Sequence, residues 1–308
     1  MLSGFAVYAG RPPPLLAGRP RSVMRPPLNP VISAETQAST LERILTLTAA
    51  LAEARRKPVV FIDLDLTALL PTVRMWRVLE AAATEFGVVD FADPSQLTGK
   101  DGQRLIPGYT EEAWMSFVAM TNLREKYPQL DWDAPEPGVQ GGRPGGPLYA
   151  FVRRNYWEQD LRTDEVSPGL PEFRRLLTER GGEIFFVSGR PGTPDVSLET
   201  LARGGISDPV LLFGQRKTGL PVPRERVRDR DADTKYFWTV DAESTGHTVV
   251  AVIDDRFSNR TAVQAASSLV GTLSVAVAAP GYSYSPDAAD ETLPDRISDF
   301  RVFCDFER

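Results

Sequence analysis

Five short runs of β-branched and apolar side chains constrain this chain most: PVVFID at 58 to 63, IFFVS at 184 to 188, VLLF at 210 to 213, VVAVID at 249 to 254 and LSVAVA at 273 to 278. Each is too short for an ordinary helix and too uniformly apolar to turn one face to water, which marks strands covered on both sides. Helical stretches separate them, among them LPEFRRLLTER at 170 to 180 and SNRTAVQAASSL at 258 to 269. A further helix starts at Ala34, with Leu41, Ile44, Leu45, Leu51 and Ala52 on one face and Thr48 as that stripe's single polar member. Buried strands alternating with helices predict an α/β fold built on a doubly wound parallel sheet.

The stretch from 72 to 165 breaks this rhythm, with helix-like segments at 74 to 86, 111 to 127 and 147 to 160 and a glycine- and proline-rich loop at 133 to 147. Four of the five tryptophans, Trp76, Trp114, Trp132 and Trp157, fall inside it. A segment this long with its own aromatics exceeds a loop and predicts an inserted helical domain. The tryptophans are expected to form its small core rather than to stack on a ligand. The expected organisation is an arm over 1–33, a sheet-bearing core over 34–71 and 166–308, and the helical insertion over 72–165. Residues 1 to 33 hold seven prolines, four arginines and no acid. That composition predicts a disordered arm, too proline-rich for an amphipathic transit helix and without a signal-type apolar stretch, with Met24 as an alternative start.

Residue usage excludes several chemistries. Cys304 and His247 are the only cysteine and histidine. Multi-histidine zinc sites are therefore out of reach, and carboxylates or lysine are left to move protons. One cysteine suits a reducing compartment, so a cytoplasmic location is expected, and no run approaches a membrane span. A net charge of -6 and a pI near 5.1 provide no global basic field for nucleic acid, although a local basic groove stays open.

In an open parallel sheet, ligands bind beyond the carboxyl ends of the strands. Asp63 ends the first run, Ser188 with Gly189 and Arg190 ends the second, and Asp254 with Asp255 ends the fourth. With Asp65 two residues on, four carboxylates gather at one edge and repel one another unless a cation lies between them. Oxygen donors without available histidine or cysteine favour Mg2+.

These residues resemble the haloacid dehalogenase-like (HAD) hydrolases over about residues 58 to 280. DLDLT at 63 to 67 is similar to the first motif of that family, the serine closing IFFVS to the second, and the paired aspartates of VVAVIDDRFSNR to the fourth. The third motif is a lysine; Lys235 stands nineteen residues before Asp254, with Lys217 as the alternative. The resemblance implies a phosphatase whose inserted domain is a cap. It makes Asp63 the nucleophile that forms an aspartyl-phosphate and Asp65 the acid and then the base. It assigns Mg2+ to Asp63, the Asp65 backbone carbonyl and Asp254 or Asp255. Lys235, the Ser188 hydroxyl and the Gly189 amide would bind the phosphoryl oxygens.

A small phosphorylated metabolite is the expected substrate. SGR at 188 to 190 and IDDR at 253 to 256 also look similar to the phosphatase half of polynucleotide kinase-phosphatases, which makes a polynucleotide-end (3′) phosphatase the alternative. No kinase-type phosphate loop is present in the sequence. A non-catalytic binding module is the third reading, and dehalogenation is disfavoured because it needs no acid at Asp65. Arg190 and Arg256 could contact a phosphate, but an arginine near aspartates is at least as often a structural ion pair, and both are left out of the catalytic set. Arg153, Arg154 and Arg162 are read as a solvated helix face, His247 as a loop residue and Thr67 as a buttress of the turn.

Overall fold

The computed structural model describes residues 32–93, 97, 105–107, 111–132, 146–190, 194–213, 230–278 and 295–301. Nearly all of the arm, most of the glycine-rich loop, Lys217 and Cys304 lie outside the described residues.

Helix α1 (Ala34–Glu53) starts where the Ser33 side chain accepts the Thr36 amide, and its stripe of Leu41, Ile44 and Leu45 is buried. Thr48 shares the stripe because its hydroxyl bonds the Ile44 carbonyl at 2.8 Å, leaving only its methyl to pack. Strand β1 (Lys57–Asp63) follows. The chain then leaves the sheet through a two-residue strand, β2 (Leu69–Leu70), into α2 (Thr72–Phe86), which stops at Gly87 in the left-handed region. Helices α3 (Glu111–Met120), α4 (Leu123–Lys126) and α5 (Gly146–Glu158) come next. The helix expected over 111–127 is thus two helices, broken where Asn122 turns left-handed at φ 55°.

The chain returns through β3 (Glu165–Val166), which pairs antiparallel with β2. The outgoing and incoming linkers therefore lie side by side. After them come α6 (Leu170–Glu179), β4 (Glu183–Ser188), α7 (Asp195–Arg203), β5 (Val210–Phe213), α8 (Arg230–Ser244), β6 (His247–Asp254), α9 (Phe257–Ala266), β7 (Leu273–Val277) and β8 (Arg296–Ile297). His247 opens β6 rather than lying in a loop.

Six of these strands form one parallel sheet in the order β5-β4-β1-β6-β7-β8. Period-two alternation feeds both faces: Val60, Ile62, Ile184 and Phe186 join a core under α1 and α6, while Val59, Phe61, Phe185 and Val187 join another under α8 and α9. Helices thus cover both faces of a doubly wound α/β sheet. The order reverses at β1: β4 and β5 extend to one side, and the chain then crosses over to lay β6 on the other.

The helices between β2 and β3 enclose an apolar cluster of their own, centred on Trp114, Phe117, Tyr149 and Val152. Trp114 stacks on Tyr149 with ring centroids 6.0 Å apart. Trp132 is buried in this cluster, and Trp76 and Trp157 pack against its edge. Among the described residues, no helix is long and apolar enough to cross a membrane.

Candidate active site

Parallel register sets the site. β1 lies between β4 and β6, so Asp63, Ser188 and Asp254 emerge from three neighbouring strands at the same carboxyl edge. The turn after β1 is tight: the Asp63 carbonyl accepts the Ala68 amide at 3.1 Å and the Leu64 carbonyl the Leu69 amide at 2.7 Å. Leu66 is left-handed at φ 61°, a conformation that costs a β-carbon-bearing residue about 1–2 kcal/mol. Thr67 is buried in this turn, and its amide bonds the Leu64 carbonyl at 3.4 Å.

The Asp63, Asp254 and Asp255 carboxylates each offer an oxygen, all within 4.8 Å of one another. Lys235 joins them from α8, its Nζ 2.5 Å from Asp63 Oδ1 and hydrogen-bonded to Asp254. This lysine occupies the second turn of α8. Asp254 is held further by the Arg256 amide at 2.8 Å and by Asn259 Nδ2 at 3.0 Å. Asn259 and the buried Arg260, which donates to the Asp254 carbonyl at 2.8 Å, escaped the sequence reading. Their place at the start of α9, five and six residues past the strand, is the signal that could have found them.

The electrostatics follow from crowding. Burial pushes the Asp63 carboxyl up to about 7; Lys235 pulls it down while Asp254 and Asp65 push it further up. Burial, then Asp254 and Asp63, also raise Asp255 well above the usual carboxylate range. Burial alone would lower the Lys235 ammonium, but Asp254 and Asp63 outweigh it and keep the lysine charged. Lys235 faces three carboxylates, two buried and one partly so, and even with Arg256 acting on Asp255 these cations do not offset the crowding that raises Asp63 and Asp255. Hard oxygen donors at this spacing fit a divalent cation.

Asp65 lies in a different environment. Arg190 grips it bidentately, Nε to Oδ2 and Nη2 to Oδ1, both at 2.8 Å. Arg74 Nη2 and the Tyr156 hydroxyl each lie 3.4 Å from Oδ1. Burial would raise this carboxyl, yet the Arg190 charge and hydrogen bonds, followed by those of Arg74, hold it below its ordinary value. The Asp65 side chain stands outside the acidic cluster, so any share it takes in metal binding falls to its backbone carbonyl.

Ser188 Oγ accepts the Arg190 amide at 3.1 Å, which shapes the loop. A β-carbon on Gly189 would stand 2.7 Å from Asp231 Oδ1, so any larger residue here would have to displace the Asp231 carboxylate. Asp231 also pairs with Arg256 at 2.9 Å. Arg190 and Arg256 are thus both in ion pairs. Arg162 pairs with Glu199 at the surface, at 2.8 Å.

These carboxylates and the lysine lie at the reversal point of a doubly wound α/β sheet, where ligands bind in sheets of this kind. Similar solved structures include a predicted phosphoglycolate phosphatase from Haemophilus somnus, at 15% identity over 82% of this chain and 99% of that one, with a TM-score of 0.43. A HAD family hydrolase from Deinococcus radiodurans with bound phosphate and sodium is 17% identical over 78% of this chain and 90% of its own, with a TM-score of 0.43. A predicted phosphatase from Clostridium acetobutylicum is 15% identical over 78% and 93%, with a TM-score of 0.39. No protein-family model and no curated protein matches the sequence. Identities and TM-scores are low for all three.

Proposed function

We propose that the chain is a HAD-type, Mg2+-dependent phosphatase that hydrolyses a small phosphorylated metabolite through an aspartyl-phosphate. The observation that carries this reading is the meeting of Asp63, Lys235, Asp254 and Asp255 at one strand edge, with Lys235 Nζ 2.5 Å from Asp63 Oδ1.

In the first half-reaction an Asp63 oxygen attacks phosphorus in line, the bond from phosphorus to the ester oxygen breaks, and that oxygen takes a proton from Asp65. In the second half, water attacks the same phosphorus, gives its proton to Asp65 and releases Asp63 with inorganic phosphate. The arginines around Asp65 favour the carboxylate form, which is the form the second half needs. Carrying the proton for the first half weakens Asp65's hold on them. Lys235 neutralises part of the charge that two approaching anions create. Asp63, Asp254 and Asp255 would hold Mg2+, which when bound supplies the remaining positive charge. The paired linkers β2 and β3 join the helical insertion to the sheet beside the site, which suits the insertion to act as a cap that excludes bulk water.

Phosphate release from a panel of small phosphoesters and a 3′-phosphorylated oligonucleotide, with and without Mg2+, tests this reading. Turnover of a small ester that needs Mg2+ and disappears in a folded Asp63→Asn variant is expected. Undiminished turnover in that variant refutes the mechanism, and turnover confined to the oligonucleotide refutes the substrate class.

A further inference from the structure

A second buried polar cluster, apart from the acidic pocket, surrounds Asp65. It draws on five separate segments: Asp65 from the turn after β1, Arg74 from α2, Tyr156 from α5, Asp164 from the residue before β3, and Arg190 from the loop after β4. The Arg74, Arg190 and Asp164 side chains are fully buried. Arg74 donates from Nε and Nη2 to the two oxygens of Asp164, each at 2.9 Å, and from Nη2 to the Tyr156 hydroxyl at 2.9 Å. Its guanidinium lies over the Tyr156 ring, 3.9 Å from the centroid. Arg190 Nη2 donates to Asp164 Oδ2 at 2.8 Å as well as to Asp65. Its Nη1 reaches Ser197 Oγ at 3.3 Å.

The position of Arg190 in the chain, directly after Ser188 and Gly189, is where a phosphate-binding arginine would be looked for. The fork of its Nε and Nη2 is spent otherwise. Nε and both Nη2 hydrogens bond carboxylates of the protein, and a guanidinium fixed on three sides cannot also fork onto a phosphoryl group without breaking those bonds. Arg74 is committed in the same way. Two buried cations facing two buried anions, Asp65 and Asp164, are balanced in charge without a substrate. A carboxylate held at both oxygens has one orientation, and a misplacement of about 1 Å in a reacting group can cost about 100-fold in rate.

We propose that Arg190 and Arg74, anchored on Asp164, are positioning residues for Asp65 and are not phosphate ligands. Asp164 lies next to β3 and Arg74 and Tyr156 lie on helices of the insertion, so the placement of the insertion and the aim of the proton-transfer group are set by one bonded unit. This inference rests on the phosphatase reading above.

The test compares two esters and one inhibitor. An alkyl phosphate needs a proton on its leaving oxygen, whereas a nitrophenyl phosphate departs as a stable phenolate. kcat/KM reports the transfer to Asp63 in both, and inhibition by inorganic phosphate reports phosphate binding alone. Arg190→Lys keeps the charge and loses the fork; Tyr156→Phe is the milder change should the lysine variant fold poorly. Arg190→Lys is expected to lower kcat/KM for the alkyl ester about 100-fold, the size of a general acid–base contribution, and that for the aryl ester by less than about threefold. The Ki of phosphate should stay within about twofold of the wild type, and Tyr156→Phe should show the same preference at smaller amplitude. Equal losses on both esters, or a Ki raised tenfold, overturn the proposal and make Arg190 a phosphate ligand. A wild type inactive on both esters overturns the phosphatase reading, and the positioning role with it.

Discussion

Removing the Lys235 ammonium without changing the volume much, as in Lys235→Met, tests the electrostatics of the acidic pocket directly. Lys235 is 3% exposed and bonds both Asp63 and Asp254. A unit-charge pair at 4 Å is worth about 4 kcal/mol at an effective dielectric constant of 20. Part of that returns because the variant no longer buries an ammonium. Breaking a buried pair typically costs about 3–5 kcal/mol, because the partner charge is left unpaired. In a domain of this size each kcal/mol moves Tm by about 2–4 °C, so the metal-free variant should melt roughly 6–20 °C lower.

The deficit should depend on pH, and its sign can be worked out. Asp63 titrates at about 7 with Lys235 in place, and loss of a cation that lowers it drives it higher still. A carboxyl whose folded pKa exceeds its unfolded value binds more protons folded than unfolded between the two, so its unfavourable effect grows as pH rises through that window. The variant should therefore lie close to the wild type near pH 5 and fall furthest behind near pH 8, in chelated protein followed by differential scanning fluorimetry. Millimolar Mg2+ should close most of the gap at pH 8. A deficit equal at both pH values, or a variant more stable than the wild type at pH 8, would refute the reasoning.

Wild-type protein freed of metal should itself lose stability from about pH 4 to pH 7, by up to about 4 kcal/mol from Asp63 alone, in urea titrations across that range. Asp63→Asn, which removes one of the mutually repelling carboxylates, should raise the metal-free Tm at pH 8 while abolishing phosphate release. Trp114→Ala empties the centre of the insertion's cluster and should cost about 3–5 kcal/mol in the same titrations. Gly189→Ala places a methyl against Asp231 Oδ1 and displaces its pair with Arg256; a fall in turnover with less than about 1 kcal/mol of lost stability is expected, because a side-chain tip can yield where backbone cannot.

The sheet was legible because strands buried on both faces carry their own signature: each of the five apolar runs is a strand of the parallel sheet. The short strands were not. β2, β3 and β8 have two residues each and no period to detect, although the β2–β3 pair holds the linkers of the insertion. The break at Asn122 left only a weak mark, since asparagine enters the left-handed region more readily than most residues but is far more often found outside it. The acidic residues were legible for a reason independent of side-chain chemistry: parallel strands put their carboxyl ends on one edge, so order along the chain becomes proximity in space. Arg74 and Asp164 were illegible for the converse reason. They meet only because two linkers run side by side, and nothing local to 74 or 164 announces that.

DLDLT conceals a division that the fold makes plain. Two aspartates one residue apart would share a face if β1 continued, and would then repel each other within one pocket. The strand ends at Asp63, and the turn closed by the Ala68 and Leu69 amides, with Leu66 left-handed, carries Asp65 to the arginines instead. Asp63 is left among anions, raised towards neutrality and in want of a cation; Asp65 is left among cations and held ionised. Two carboxylates in opposite environments can take different roles at a single pH. Their separation rests on the turn rather than on either side chain, so an insertion of one residue between Leu64 and Ala68 should abolish turnover even where both aspartates, the lysine and the sheet remain intact.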